Sequence, residues 1–171
     1  MTLTAILPTL RASIPDPLAA GCWPAYTRAT TTDLVVDGVS LHTLATLCGT
    51  PCVHTAQATE PVVVVTAVGD TTTTPDGRRV LVLDADLGRA GATWPELRLV
   101  GRASVARLVP TVVCDPDKAR LAQVELPADL AVGDVLGVPC AAVGVRGGVG
   151  VRGGAGARGR RELSRGTRPA R

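Results

Sequence analysis

Five cysteines, two histidines and a single lysine hold most of the nucleophilic capacity of this 171-residue chain. Cys114 stands apart because an aspartate follows it directly, in Pro110-Thr-Val-Val-Cys-Asp-Pro-Asp-Lys118, so a thiol and a carboxylate share one loop. Such a thiol is nucleophilic only when a base or a cation stabilises its thiolate. His54 would complete a set with Cys114 and Asp115, although nothing in the sequence places the three together. Cys48-Gly-Thr-Pro-Cys52-Val-His54 gathers three metal-ligating side chains. Structural zinc draws on two knuckles, however, and Pro51 does not help the one present, so no metal is expected. Cys22 and Cys140 bring the cysteines to an odd total without a compact framework, and free thiols are expected. Lys118 falls in the turn after Cys114, and no serine sits in a Gly-x-Ser-x-Gly turn.

The elements that must position these groups follow from composition. Hydrophobic residues make up 46% of the chain, yet there is no Phe and only two Trp and one Tyr. The core of what is long enough for one domain must therefore be Val, Leu and Ala, and its Val-rich stretches favour strands. Leu3, Ile6, Leu7 and Leu10 have helical spacing that Pro8 interrupts, which predicts no more than a short turn of helix. Leu34 to Val36 predicts a strand closed by Asp37-Gly38, after which Ser40 caps a helix with Leu41, Leu44, Ala45 and Cys48 on its apolar face and Gly49 at its end.

Val62 to Val68 reads as a long strand, residues 74–78 as a hairpin turn and Arg79 to Ala85 as its return. Leu97 to Arg107 alternates loosely, with Arg98, Arg102 and Arg107 on a solvated face. A strand ends at Cys114, Asp115-Pro116-Asp117 turns the chain, and Gly133-Asp134 opens a further apolar run to Pro139. The fold class expected is mainly β, an antiparallel barrel or sandwich with a short amino-terminal helix. Residues 1–32 are expected to be irregular. Residues 33–144 are expected to form the β-barrel domain, with strand and helix over 33–56 and barrel over 57–144, and residues 145–171 a disordered tail.

No apolar run reaches the ~18 to 20 residues that span a bilayer, and the amino terminus lacks the pattern of a signal peptide. A cytoplasmic location without membrane contact is expected. The net charge of +3 conceals +7 from Val145 onward, eight arginines against Glu162, so the body before it carries −4. That much glycine and charge cannot bury enough surface to order itself. Arg-Gly tracts bind RNA through charge and stacking, but this one has no aromatics interleaved. Nucleic-acid binding is therefore disfavoured against a plainer source of such composition, GC-rich DNA translated out of frame.

Two separated segments resemble the fold-type III pyridoxal-phosphate decarboxylases, the diaminopimelate, ornithine and arginine decarboxylase family. Pro110 to Lys118, followed by Gln123-Val-Glu-Leu-Pro-Ala-Asp-Leu-Ala-Val-Gly-Asp-Val-Leu-Gly-Val-Pro139, is similar to the carboxyl-terminal barrel of that family. Leu34-Val-Val-Asp-Gly-Val-Ser-Leu, leading to Cys48-Gly-Thr-Pro-Cys-Val53, is similar to its amino-terminal start. In the family the cysteine reaches across a dimer interface to the active site of the partner, and a nearby aspartate helps hold substrate. The resemblance carries these catalytic roles to Cys114 and Asp115. It also implies that Leu34 to Val36 pairs with a later strand of the barrel.

The departures are as telling. The family's second acidic position is poorly matched, since Asp117 sits one residue early, and Val143 stands where a tyrosine touches the cofactor phosphate. Glu60-Pro61 lacks the Gly and Arg that should follow, and the chain runs straight on into Val62 where a (β/α)8 barrel should intervene. The one lysine, Lys118, is not on a barrel strand, and no glycine-rich phosphate loop precedes a helix. The expected function is thus that of a truncated relative, inactive alone and binding no pyridoxal phosphate. The alternatives are a non-catalytic module pairing as homodimer, or as heterodimer with a full-length decarboxylase, and RNA binding through the basic tail.

Overall fold

A computed structural model describes residues 3–56 and 61–141. The expectations for Glu60, Val143 and the tail from residue 145 lie outside the described residues.

The fold is built on β5 (Val62–Thr73), whose run of branched side chains disfavours helix and suits a pleated strand. Val62, Val63, Val64 and Val65 are all buried. The strand is therefore covered on both faces, which explains an unbroken apolar run instead of an alternating one. Its first half pairs antiparallel with β10 (Val135–Cys140) on one side and with β4 (Cys52–His54) on the other. Its second half pairs with β6 (Arg79–Leu83) across the expected turn. A bulge between Val68 and Asp70 separates the two pairings, and bulges bend a strand.

With β7 (Arg98–Val100), β8 (Leu108–Cys114) and β9 (Arg120–Pro127), the strand order is β7-β10-β5-β6-β8-β9, and the sheet curls into a half-barrel. Among the described residues only β6 and β8 run parallel; the other pairings are antiparallel. The mainly β architecture expected from composition is the one the chain adopts. Inside the curl, Val64, Val68, Leu81, Val113, Leu136 and Val138 form the main core.

A second core lies on the other face of β5. Here α2 (Leu41–Cys48) packs Leu41 and Ala45 against Val63 and Val65, while the Ser40 hydroxyl accepts the Thr43 N–H at 3.0 Å as an N-cap. Gly49 ends the helix as expected, but Cys48 is exposed and takes no part in the apolar face. The amino terminus forms α1 (Leu3–Ile6), then a 3-10 turn over Pro8–Ala12 with the proline at its start.

The expected pairing of Leu34 to Val36 with a later strand is not found. That segment, β2 (Leu34–Val36), sits between β1 (Arg28–Ala29) and β3 (Val39–Ser40) in a separate three-stranded sheet. The reason is local. Asp37 and Gly38 take positive φ of 47° and 80°, the two-residue turn that folds a strand straight back on its successor. Both edges of β2 are then occupied, and it meets the half-barrel face-on. A Cβ at Gly137 of β10 would lie 3.2 Å from Leu41 Cδ1 and 3.5 Å from Leu34 Cδ1, so the missing side chain admits this approach.

Candidate functional site

The Cys114–Asp115 turn closes the hairpin of β8 and β9. Asp115 both donates its N–H to the Ala119 carbonyl at 3.0 Å and receives the Ala119 N–H on Oδ1 at 2.8 Å. Lys118 N–H returns to the Asp115 carbonyl at 2.9 Å, and Lys118 takes a left-handed φ of 64°. An aspartate bonding backbone groups within its own turn is the local device that makes Asp-Pro sequences turn formers. The register slips by one between Val113 and Cys114, a bulge that tightens the end of the hairpin.

Cys114 stands beside Val82 of β6 and opposite Arg120 of β9. Val113 joins the main core, so the alternation of a strand aims Cys114 to the other face, where it is 5% exposed. Burial raises the thiol above its ordinary pKa, the Asp115 charge raises it further, and Arg120 only partly opposes them. Asp115 is itself buried and its carboxylate is engaged in the turn. The structure thus brings Cys114 and Asp115 together, in a setting that disfavours the thiolate.

His54 does not join them. It pairs with Val63 on β5, whereas Cys114 neighbours Val82, which pairs with Asp70 of that strand. Seven residues at ~3.3 Å each separate the two sites by about 20 Å. A Cys114–His54–Asp115 set is ruled out on that distance. Cys52 and His54 share one face of β4, and the Cys52 thiol is raised by burial and then by Cys48 and Asp84. Among the described residues no three metal-ligating side chains converge.

Lys118 projects from the hairpin turn 72% exposed, with Nζ 3.8 Å from Asp70 Oδ2. An amine that captures an aldehyde cofactor needs a desolvated seat, and this position does not supply one. Among the described residues a cavity with mixed polar and apolar walls measures about 130 Å3, and a wider, more open one of about 530 Å3 lies over residues 18–27; Lys118 lines neither. Lys118, the chain's one lysine, does not fit the buried amine that pyridoxal phosphate calls for.

Of the three arginines expected on a solvated face, Arg107 is exposed, but Arg98 and Arg102 are engaged with acids. Arg98 is half-buried and pairs with Glu96 at 2.9 Å, and Glu96 also receives the Trp23 indole N–H at 2.7 Å. Arg102 reaches Asp134 through both Nε (2.8 Å) and Nη2 (2.6 Å), and Asp129 through Nη1 (3.0 Å). Leu97 to Arg107 holds only the short strand β7, and Arg98 and Arg102 anchor loops instead of lining a long strand. The Asp129 and Asp134 partners lay in the motif already singled out, but their common arginine is some thirty residues away.

Fold and hairpin together define a mainly β protein whose curled sheet carries a Cys-Asp turn at one end. No protein-family model matches the chain, and no curated protein does. Similar solved structures include the lysine decarboxylase of Selenomonas ruminantium, at 20% identity and a TM-score of 0.36 over 48% of this chain and 23% of that one. Another is the arginine decarboxylase of Paramecium bursaria Chlorella virus bound to agmatine, at 20% identity and a TM-score of 0.39 over 47% of this chain and 25% of that one. The chain spans about a quarter of the length of these neighbours. A likeness of this size establishes neither family nor activity.

Proposed function

We propose that this chain is a non-catalytic β-domain relative of the fold-type III decarboxylases, without the cofactor-binding barrel between its two family-like segments. The observation that carries this reading is the placing of its only lysine. Lys118 lies on an exposed turn against Asp70, in the same hairpin as Cys114 and Asp115. A hairpin that in the family serves the active site of a partner is retained, and the amine that would hold a cofactor of its own is not. The test is to mix the full chain with pyridoxal phosphate, reduce with borohydride and map the adduct by mass. Labelling of Lys118 no faster than that of a free lysine peptide supports the reading, and rapid stoichiometric labelling contradicts it.

The open half-barrel favours a second element, pairing with an intact decarboxylase subunit. Strand β9 ends the sheet order, and Arg120, Gln123 and Glu125 on it are exposed. Unpaired edges of this kind are templates for another chain. The expectation is a heterodimer, seen by sedimentation, that restores turnover to a decarboxylase whose own hairpin cysteine has been replaced. A Cys114→Ala chain should form the heterodimer without restoring turnover; sedimentation as separate species would remove the pairing element.

A further inference from the structure

The amino-terminal turn α1 is amphipathic the wrong way round. Thr4 is 3% exposed and its hydroxyl donates to the Asp16 carboxylate. Arg11, in the 3-10 turn that follows, is 8% exposed and donates Nη1–H to the Ala106 carbonyl at 2.9 Å. Leu3, Ile6, Leu7 and Ile14, by contrast, are about half to two-thirds exposed. Leu7 N–H returns to the Leu3 carbonyl at 2.9 Å, so Leu3, Ile6 and Leu7 stand at i, i+3 and i+4 on one face of a helical turn. A surface helix ordinarily keeps its polar residues in water and its aliphatic ones on the core. Here polar side chains hold the segment to the body, and the aliphatic ones are left outside. The Arg11 tether also brings the loop before β8 alongside, with Val105 and Leu108 exposed. These six side chains together expose on the order of 500 Å2, near the top of what one patch on a monomer carries.

The chemistry of the patch narrows what covers it. Residues 57–60, Gln-Ala-Thr-Glu, are mostly polar, and residues 142–171 hold one leucine and four valines among glycines and arginines, so neither stretch is an apolar cover. Segments that lie on a lipid surface flank their apolar face with cations or aromatic rings. Between Leu3 and Ile14 there is no aromatic residue, and the one charged residue, Arg11, is turned inward. A highly charged partner finds nothing there to pair with. An uncharged aliphatic face does match its own likeness. Across a two-fold axis Leu3, Ile6 and Leu7 meet the same residues of another copy, and the two faces together remove about 1,000 Å2 from water, the smallest area a specific interface commonly has. We infer that the amino-terminal segment is a two-fold interface between copies of this chain. The interface is separate from the hairpin turn: Leu108 lies beside it, and Cys114 is six residues further along β8, about 20 Å at ~3.3 Å per residue. It therefore stands whether or not the hairpin serves another subunit.

The experiment is sedimentation velocity of the full chain over a range of concentrations. A monomer–dimer equilibrium is expected, with dissociation at about 1 to 100 μM for an interface of this size. The double variant Ile6→Asp with Leu7→Asp sets carboxylates against their own copies across the axis and should weaken the dimer by about a hundredfold or more. Both positions are exposed, so the circular dichroism spectrum and the urea midpoint should be kept. Leu47→Asp, at an exposed leucine of α2, should leave the dimer unchanged. A benzophenone amino acid in place of Leu3 should cross-link to residues 3–14 or 105–108 of the second copy. A monomer at every concentration would overturn the inference, as would a dimer undiminished in the double variant, equal loss in Leu47→Asp, or cross-links to other residues. A chain that stays monomeric and floats with phosphatidylcholine vesicles would overturn it too, and would assign the face to lipid.

Discussion

At the scale of single residues, burial decides which thiols react. Cys48 is exposed, whereas Cys140 is 1% exposed and its thiol is pushed up to about 12 by burial, against a weaker opposing backbone hydrogen bond. Near pH 8 a thiol of that kind is on the order of one part in ten thousand thiolate, and a thiolate is what a disulfide reagent consumes. With such a reagent Cys48 should titrate first and Cys140 last, with Cys114 among the slow class; immediate reaction of Cys114 would mean that its turn is open in solution. Asp115 is expected to matter to folding: Asp115→Ala strands the Ala119 N–H and should cost about 1 to 2 kcal/mol, with Asp115→Asn losing less because its amide oxygen still accepts.

Arg102 links pH to stability. Its hydrogen bond draws Asp134 below the usual carboxylate range against the opposing effect of burial. Burial alone would raise Asp129, but the Ser104 hydroxyl and Arg102 outweigh it and the carboxyl is lowered. Carboxyls lowered by folding stabilise the native state above their unfolded value near ~4 and lose that contribution as pH falls through the folded value. Urea midpoints should therefore be flat above about pH 5 and drop below about pH 4, with Arg102→Leu about 2 kcal/mol less stable at neutral pH and less sensitive to acid. Equal acid sensitivity in both chains would assign the drop to other groups.

At the scale of elements, Gly137 is the point where α2 and β2 meet the half-barrel. A Cβ there already sits tight against Leu41, and Gly137→Val would force Leu41, Leu34 and Val100 apart. Overpacking of this sort costs about 1 to 3 kcal/mol, so the loss should appear in the urea midpoint while the far-UV spectrum is kept. What the sequence made legible at this scale was local. The Val62 to Val65 run, the Asp37-Gly38 and Asp76-Gly77 turns, the Ser40 cap and the Asp115-Pro116 reversal each rest on neighbours a few residues apart. The parallel pairing of β6 with β8 and the enclosure of β2 by β1 and β3 depend on contacts with no local signal. The same holds for Glu96, whose buried carboxylate accepts from Trp23 and Ala19, more than seventy residues before it, as well as from nearby Arg98.

At the scale of the whole molecule, a Val- and Leu-rich chain with three aromatic side chains forms a curled sheet with a core on each side of β5. Among the described residues no helix is long and apolar enough to cross a membrane. Of the candidate site, Cys114 and Asp115 were singled out through a family resemblance, and that the pair is buried and held within its own turn follows only from the bulged register of β8 and β9. The most direct measurement of the central claim is carbon dioxide release from lysine, arginine, ornithine and diaminopimelate by the full chain supplied with pyridoxal phosphate. Release no greater than that of a heat-inactivated sample is the expected result; turnover that disappears on Lys118→Ala substitution would contradict it.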